Sequence, residues 1–235
     1  RLVHLAAMIG SSTNENPTKG LATNAGGTDN AFSVAESAGL DRVVYASTHS
    51  IYGNRDNYPD GPVAEDVAPP TAFSEYPDAS FYAGLKQLNE YQSRLYADRG
   101  LDVRGVRPPF VFGPKRDRGW KGLLIDRALS GESHIPHPRE AEICFTYVAD
   151  VADLFVRLLL EDPSHHVYNT GGHTLTMGEI GSVVEDVTGG TVTYDEDGGR
   201  LSQPPNYSHE RAKADVGYDL TPFEDCVRDY VERVT

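Results

Sequence analysis

"ASFYAGLKQLNEYQSRLYADRG" (79–100) reads as a single amphipathic helix that closes at Gly100. Near its start Tyr82 and Lys86 stand four residues apart, which on a helix puts them on one face, one above the other. An ammonium beside a phenol favours the phenolate and lowers its pKa from about 10, which makes a base for taking a proton from a hydroxyl. Taken alone, Y-x-x-x-K favours the simpler reading of a surface helix carrying an aromatic residue and a lysine. The sequence on either side has to decide.

Upstream, "RLVHLAA" is an apolar run consistent with a buried strand ending at Ala6 or Ala7, and "GSSTNENPTKG" is a polar loop. A helix spans about 22–38 and stops at Gly39, and "RVVYAST" (42–48) is a strand rich in β-branched and aromatic residues. A loop with Gly and Pro covers about 49–78. Downstream, "DVRGVRPPFVFG" is a strand whose exit bends at Pro108 and Pro109. Helices follow in "WKGLLIDRALSG" and "YVADVADLFVRLLLE", then a strand and turn in "HVYNTGG". "TMGEIGSVVEDVTG" is a helix with a Thr176–Glu179 capping box, "TVTYDE" a short strand, and "TPFEDCVRDYVERV" a last helix with Pro222 in its first turn. Strands alternating with helices mean βαβ units and a mostly parallel α/β sheet. Such sheets bind ligands at the carboxyl ends of their strands. That rule brings His4, Thr48, Tyr82, Lys86 and Pro108 to one crevice.

The chain has 235 residues and a net charge of −14, from 35 acidic and 21 basic residues, which argues against a nucleic acid partner. No apolar run approaches the length of a membrane span, and "RLVHLAAMIG" has the wrong flanks for a signal peptide. Cys144 and Cys226 sit in apolar patterns and read as buried free thiols in a reducing, cytoplasmic compartment, without metal spacing. Among the charged residues are 20 Asp and 16 Arg but 5 Lys, a bias that resembles proteins of salt-accumulating halophiles; the alternative is an ordinary acidic cytosolic protein.

In motif order the chain resembles the extended short-chain dehydrogenase/reductase family, also called the NAD-dependent epimerase/dehydratase family. "VHLAA" resembles its fourth strand, and Asn24, Gly27, Thr28 and Asn30 its N-x-x-G-T-x-N helix. "VVYASTHSIYG" resembles the strand with a catalytic Ser or Thr, here Thr48, and "YAGLKQLNE" the Y-x-x-x-K helix. "VRPPFVFGP" resembles the strand whose exit touches the nicotinamide, and "FTYVADVADLFVRLL" and "YNTGGHTLTMGEI" the C-terminal part. The resemblance implies a Rossmann-like doubly wound parallel sheet over 1–113 and a small C-terminal substrate-binding part over 114–235, with 141–172 returning to the Rossmann core. It implies NAD as cofactor, with NADP open, and a homodimer paired through the helices at about 22–38 and 80–98. Tyr82 is then the acid/base, Lys86 lowers its pKa and holds the nicotinamide ribose, and Thr48 positions the reacting oxygen. Leu5, Ala6, Ala7, Asn24, Pro108, Pro109 and Val111 border the cofactor with them. Met8, Thr48, His49, Phe110, Arg116, Arg118 and Ile143 border the substrate. His49 alternates to the other side from Thr48 and is set aside as a catalytic group.

Two departures qualify this. No G-x-x-G-x-x-G turn precedes "RLVHLAA", and Gly171, Gly172, Gly178 and Gly181 have the wrong spacing for one. The expectation is that an N-terminal segment of about two βα units precedes this sequence in the full protein, the alternative being a gene product that is a remnant. In nucleotide-sugar members of the family an Asn stands at Phe110 and an Arg at Ile143, and neither replacement makes those polar contacts. Arg116 and Arg118 supply charge from another direction. Dehydratases carry an acidic pair where His49 and Ser50 stand, which makes dehydration the least favoured chemistry. The reading is an NAD(P)-dependent oxidoreductase or epimerase for a hydroxyl or keto group of a sugar-like molecule. The alternatives are a nucleotide-sugar 4-epimerase and a non-catalytic cofactor-binding or regulatory protein. The charge bias carries its own test: the melting temperature should rise between about 0.1 M and molar KCl as repulsion is screened, and a flat or falling curve would remove the halophile reading.

Overall fold

Val43, Val44 and Tyr45 are consecutive and all buried. Consecutive strand residues point to opposite faces, so this run needs a layer on each side of its sheet. The computed structural model supplies both layers. It describes residues 1–10, 12–53, 55, 58–67, 77–114, 119–199 and 206–235, with backbone alone for 77–80 and 119–121.

The chain runs β1 (Leu2–His4), a single turn α1 (Ser12–Glu15), α2 (Pro17–Leu21), a π-helical turn Ala22–Gly26, α3 (Gly27–Ser37) and β2 (Arg42–Ala46). A 3₁₀ turn His49–Tyr52 leads on to α4 (Pro77–Ala97), β3 (Asp102–Arg107), β4 (Phe110–Phe112), α5 (Gly119–Leu129), β5 (Glu132–Ile135) and β6 (Glu142–Tyr147). The remainder is α6 (Val148–Leu160), β7 (Val167–Asn169), β8 (His173–Thr176), α7 (Met177–Thr188), β9 (Thr191–Tyr194), α8 (Glu210–Val216) and α9 (Phe223–Val234). β1, β2, β3 and β7 form one parallel sheet in that order. On one face, Phe32 of α3 and Tyr96 of α4 pack on Val43, Tyr45 and Val103. On the other, Leu154, Phe155 and Leu158 of α6 and Ala212 and Val216 of α8 pack on Val44 and Val106. This is the doubly wound arrangement expected. Mid-strand Gly105 is required by that packing, because a Cβ there would meet the Tyr45 hydroxyl at 2.8 Å.

Several boundaries differ from the sequence reading, each for a local reason. β1 ends at His4, before the expected Ala6 or Ala7, because Leu5 and Ala6 are exposed beyond the last partner on β2. The helix expected over 22–38 starts earlier, at Pro17 with Asn16 as its N-cap, and is bent by the π turn. The strand expected across "DVRGVRPPFVFG" is two strands. Pro108 and Pro109 have no N–H for a ladder, so β3 stops at Arg107. β4 then joins a separate sheet, parallel to β6, which pairs antiparallel with β8. The return of 141–172 to the Rossmann core therefore begins at Val148, not at 141, since β6 belongs to this second sheet. β5 pairs with β9 in a third. Phe112, Phe145, Ile180, Phe223 and Val227 close a C-terminal core of their own. Cys144 and Cys226 are buried and free. No helix among the described residues is long and apolar enough to cross a membrane.

α3 and α4 lie side by side, tied by the Tyr96 hydroxyl donating to Asp29 Oδ1 at 2.9 Å. Their outer surface carries exposed Val34, Leu88, Tyr91 and Leu95, the last three at helical spacing along one stripe. A homodimer through this face should appear in sedimentation at micromolar concentration in high salt, and Tyr91→Glu with Leu95→Glu should convert it to monomer. A clean monomer of the unaltered protein would rule the pairing out.

Candidate active site

The carboxyl ends of β1, β2 and β3 and the first turns of α4 converge as the topology requires. Thr48 follows β2 and is the N-cap of the 3₁₀ turn, its Oγ1 accepting from the Ser50 N–H at 3.2 Å. The Thr48 and Tyr82 hydroxyls share a hydrogen bond. Lys86 lies one turn along α4, its Nζ 6.0 Å from the centroid of the Tyr82 ring. That ammonium is buried and donates to the Ala46 carbonyl at 2.6 Å.

The electrostatics correct one expectation. Lys86 was expected to lower the pKa of Tyr82, but burial instead pushes the phenol up to about 12, with the Thr48 hydrogen bond working against it. Burial also pushes Lys86 down to about 8. Desolvation outweighs the attraction because the ammonium is itself stripped of water and engaged with the end of β2. Tyr82 is therefore a protonated phenol at neutral pH here. His4 is held below its usual value, by burial first and the Lys86 charge second, and its Nε2 lies 3.1 Å from Thr28 Oγ1.

The segment after β1 is held by one side chain. Asn24, fully buried in the π turn, accepts from the Met8 N–H at 2.8 Å and donates to the Met8 carbonyl at 2.9 Å. This latch fixes Met8 and with it the segment Leu5, Ala6 and Ala7 that leads there from β1. The widened turn frees the Asn24 carbonyl for Asn89 Nδ2 of α4, at 2.8 Å. At the exit of β3, the Pro108 carbonyl accepts from His49 N at 3.0 Å and lies 2.9 Å from His49 Nδ1. The His49 ring is buried edge-on to Phe110 and Tyr207, so it is packed into an aromatic wall. Pro109 is buried, and Val111 partly so.

Of the residues expected at the substrate, Ile143 stands beside Phe110. It is buried in the C-terminal core, where with Phe110, Leu124, Val184 and Phe223 it lines an apolar cavity of about 40 Å³. Arg116 and Arg118 lie outside the described residues.

Sequence reasoning missed a set of buried polar groups directly behind the site. Glu90 of α4 pairs with Arg107 at the end of β3, Nη2 to Oε2 at 2.6 Å, both almost fully buried. Ser47, Tyr52, Asn169 and Glu65 extend the network. The available signal was the repeat of polar positions 82, 86 and 90 on one helical face. The fold also gathers Asp150, His173 and Cys226, whose ligand-type atoms lie within 4.8 Å of one another although their spacing in sequence gave no metal motif. Asp150 and Cys226 already bond Thr221, which ties α6 to the start of α9.

Residues 1–171 match the family model described as NAD dependent epimerase/dehydratase family. The protein MJ1055 of Methanocaldococcus jannaschii is 30% identical over 176 residues, covering 72% of this chain and 51% of the relative. A UDP-glucuronate 4-epimerase of Thermodesulfobacterium geofontis is 28% identical, over 80% of this chain and 57% of its own length. The chain thus spans a little over half the length of these two curated relatives. Among solved structures, an L-threonine dehydrogenase from Clostridium difficile superposes with a TM-score of 0.83 at 16% identity, over 99% of this chain and 75% of that one. A UDP-glucuronic acid 4-epimerase from Bacillus cereus, solved with UDP-glucuronic acid and NAD, gives 0.75 at 21%, over 99% and 76%. At these identities the solved structures share the fold.

Lys86 sets a pH dependence. Its folded-state pKa of about 8 lies below the ordinary 10.5, so between these values the unfolded chain binds the extra proton and stability rises with pH. Replacing Lys86 by Met should remove that rise, a difference on the order of 3 kcal/mol across the window. Parallel stability curves for the two proteins from pH 8 to 10.5 would show that Lys86 is solvated.

Proposed function

The chain belongs to the NAD dependent epimerase/dehydratase family, and we propose that it is an NAD(P)-dependent oxidoreductase or epimerase acting on a hydroxyl or keto group of a sugar-like small molecule. The observation that carries this reading is the meeting of Thr48, Tyr82 and Lys86 at the carboxyl end of the sheet. The cofactor fits the residues present: Lys86 is buried, yet among the described residues only one partner, the Ala46 carbonyl, accepts from its three N–H donors. The remaining donors suit the hydroxyls of a nicotinamide ribose. Leu5, Ala6 and Ala7 on one wall and Pro108, Pro109 and Val111 on the other would flank it, with Asn24 shaping the first wall. NAD, when bound, supplies the hydride acceptor and donor.

The chain's own residues handle the proton. Tyr82, held as a phenol, gives its proton to a carbonyl oxygen of substrate during reduction, and as phenolate takes one from a hydroxyl during oxidation. Thr48 holds the same oxygen in place. The buried Lys86 charge stabilises the phenolate once Tyr82 has lost its proton.

For the substrate, Met8, His49 and Phe110 offer an apolar and aromatic border, and Ile143 lies behind Phe110 in the apolar cavity. Among the described residues these side chains offer a diphosphate no cationic donor, and burying its charge against apolar surface is costly, so the balance turns on Arg116 and Arg118, which lie outside the described residues. The apolar border supports a free sugar, sugar acid or other small hydroxy compound. The second reading, a nucleotide-sugar 4-epimerase, is favoured by the UDP-glucuronate 4-epimerase among the curated relatives. Calorimetry with UDP-glucose, UDP-galactose and dTDP-glucose in the presence of cofactor separates the two, since micromolar binding of any of them would put the second reading first. Tyr82→Phe should lower turnover by about a hundred- to ten-thousand-fold with little change in NAD affinity, whereas Lys86→Ala should cost both. Undiminished turnover in Tyr82→Phe would remove Tyr82 as the acid/base, and absence of turnover in the unaltered protein with cofactor bound would put a non-catalytic role in front.

A further inference from the structure

We propose that the buried Glu90–Arg107 ion pair is the positioning device of this site, a single contact that fixes both the helix bearing Tyr82 and Lys86 and the turn headed by Thr48. The proposal rests on the reading of those three side chains as the reacting set.

Glu90 is one helical turn beyond Lys86 and two beyond Tyr82, on the same face of α4. Its carboxylate accepts from Arg107 Nε at 2.8 Å and Nη2 at 2.6 Å, a two-pronged contact that fixes orientation as well as distance. The same carboxylate accepts from Ser47 Oγ at 2.6 Å, and Ser47 immediately precedes Thr48. The other arm of Arg107 donates from Nη1 to the Tyr52 hydroxyl at 2.7 Å, and Tyr52 donates to Asn169 Oδ1 on β7 at 2.9 Å. Tyr52 closes the 3₁₀ turn that Thr48 caps. Pro108, the residue after Arg107, accepts at its carbonyl from His49 N. Thr48 is thus held through Ser47 before it and through His49 and Tyr52 after it, and every line runs to Arg107 or its neighbour.

The burial of Lys86 depends on α4 lying flat on the ends of β2 and β3. If α4 lifts there, water reaches the ammonium and its donation to Ala46 O weakens. A displacement of about 1 Å at such a site is enough to cost about a hundredfold in rate. The sheet carries a comparison pair at its other end. Arg42 and Asp102, at the starts of β2 and β3, are 2.6 Å apart and also shielded, but touch none of the three candidate side chains.

The test follows Lys86 itself. The chain has 5 lysines, so ¹³Cε labelling gives a spectrum in which Lys86 is assigned by its loss in Lys86→Met. In Arg107→Lys and Glu90→Gln its titration midpoint should rise from about 8 toward the ordinary 10.5, because water returns. In Arg42→Lys it should stay, even where melting temperature falls as far. The sign is diagnostic for Glu90→Gln: loss of a nearby negative charge alone would lower the midpoint, and loosening of the helix raises it. Where Glu90→Gln does not fold, Tyr52→Phe deletes one hydroxyl of the network and should move the midpoint up by less. A midpoint unchanged or lowered in the folded variants, or raised equally in Arg42→Lys, would overturn the proposal. This readout needs no substrate, so it stands or falls separately from the catalytic reading, which Tyr82→Phe turnover decides.

Discussion

Two opposite charges with almost no water on either, Glu90 on α4 and Arg107 at the end of β3, are the constraint on which the rest of this structure depends. Burial works against the charge on Arg107, and the Glu90 hydrogen bond and charge outweigh it. Removing either partner would strand the other, at about 3–5 kcal/mol. A well-packed apolar pair could equal that stability. What the guanidinium fork adds is direction: it accepts one rotation of the helix against the strand, because two N–H vectors must meet two carboxylate oxygens. The apolar residues of α4 allow sliding that this contact does not. Leu85 and Tyr96 bury α4 on the sheet, and Glu90 sets where along it the helix stops.

The second constraint is the pair of prolines after Arg107. By ending β3 they send the chain from one sheet into another within a few residues, and on the proposed reading the crevice would lie where the two diverge. The first wall comes from the Rossmann side, latched by Asn24. The second comes from the β4–β6–β8 side and is aromatic. A reacting group in the crevice therefore meets titratable side chains from one half and apolar surface from the other. On the proposed reading, Phe110 would be the residue at which cofactor chemistry and substrate fit meet.

The sheet, its parallel sense and the helix of Tyr82 were legible in the sequence because each rests on a local pattern: β-branched runs, a capping box at Thr176, glycine stops. The convergence of Thr48, Tyr82 and Lys86 was legible too, since topology alone places strand ends together. The sign of the shift on Tyr82 was not, because desolvation depends on everything packed around the phenol and the i,i+4 spacing reports only one neighbour. The strands at 132–135 and 142–147 escaped notice because their partners, 191–194, 110–112 and 173–176, are distant in sequence or interrupted by Pro and Gly. Taken singly, Glu90 and Arg107 carried no signal in the sequence, because isolated Glu and Arg are nearly always exposed. Only the tertiary pairing distinguishes them. Ile143 was assigned to the substrate by motif alignment, whereas its position on β6 turns it into the C-terminal core.

The π turn at Ala22–Gly26 holds one residue more than an α-helical turn of the same rise. Deleting any single residue there would let the segment relax into regular helix. The flanking chain would keep its place, but the Asn24 carbonyl would return to the helical ladder and Asn89 Nδ2 would lose that acceptor. Substitutions within the turn that keep Asn24 leave that geometry alone. This stretch is thus sensitive to length and comparatively indifferent to composition, the reverse of a surface loop. Over evolutionary time it should accept exchanges of residues while rejecting insertions and deletions.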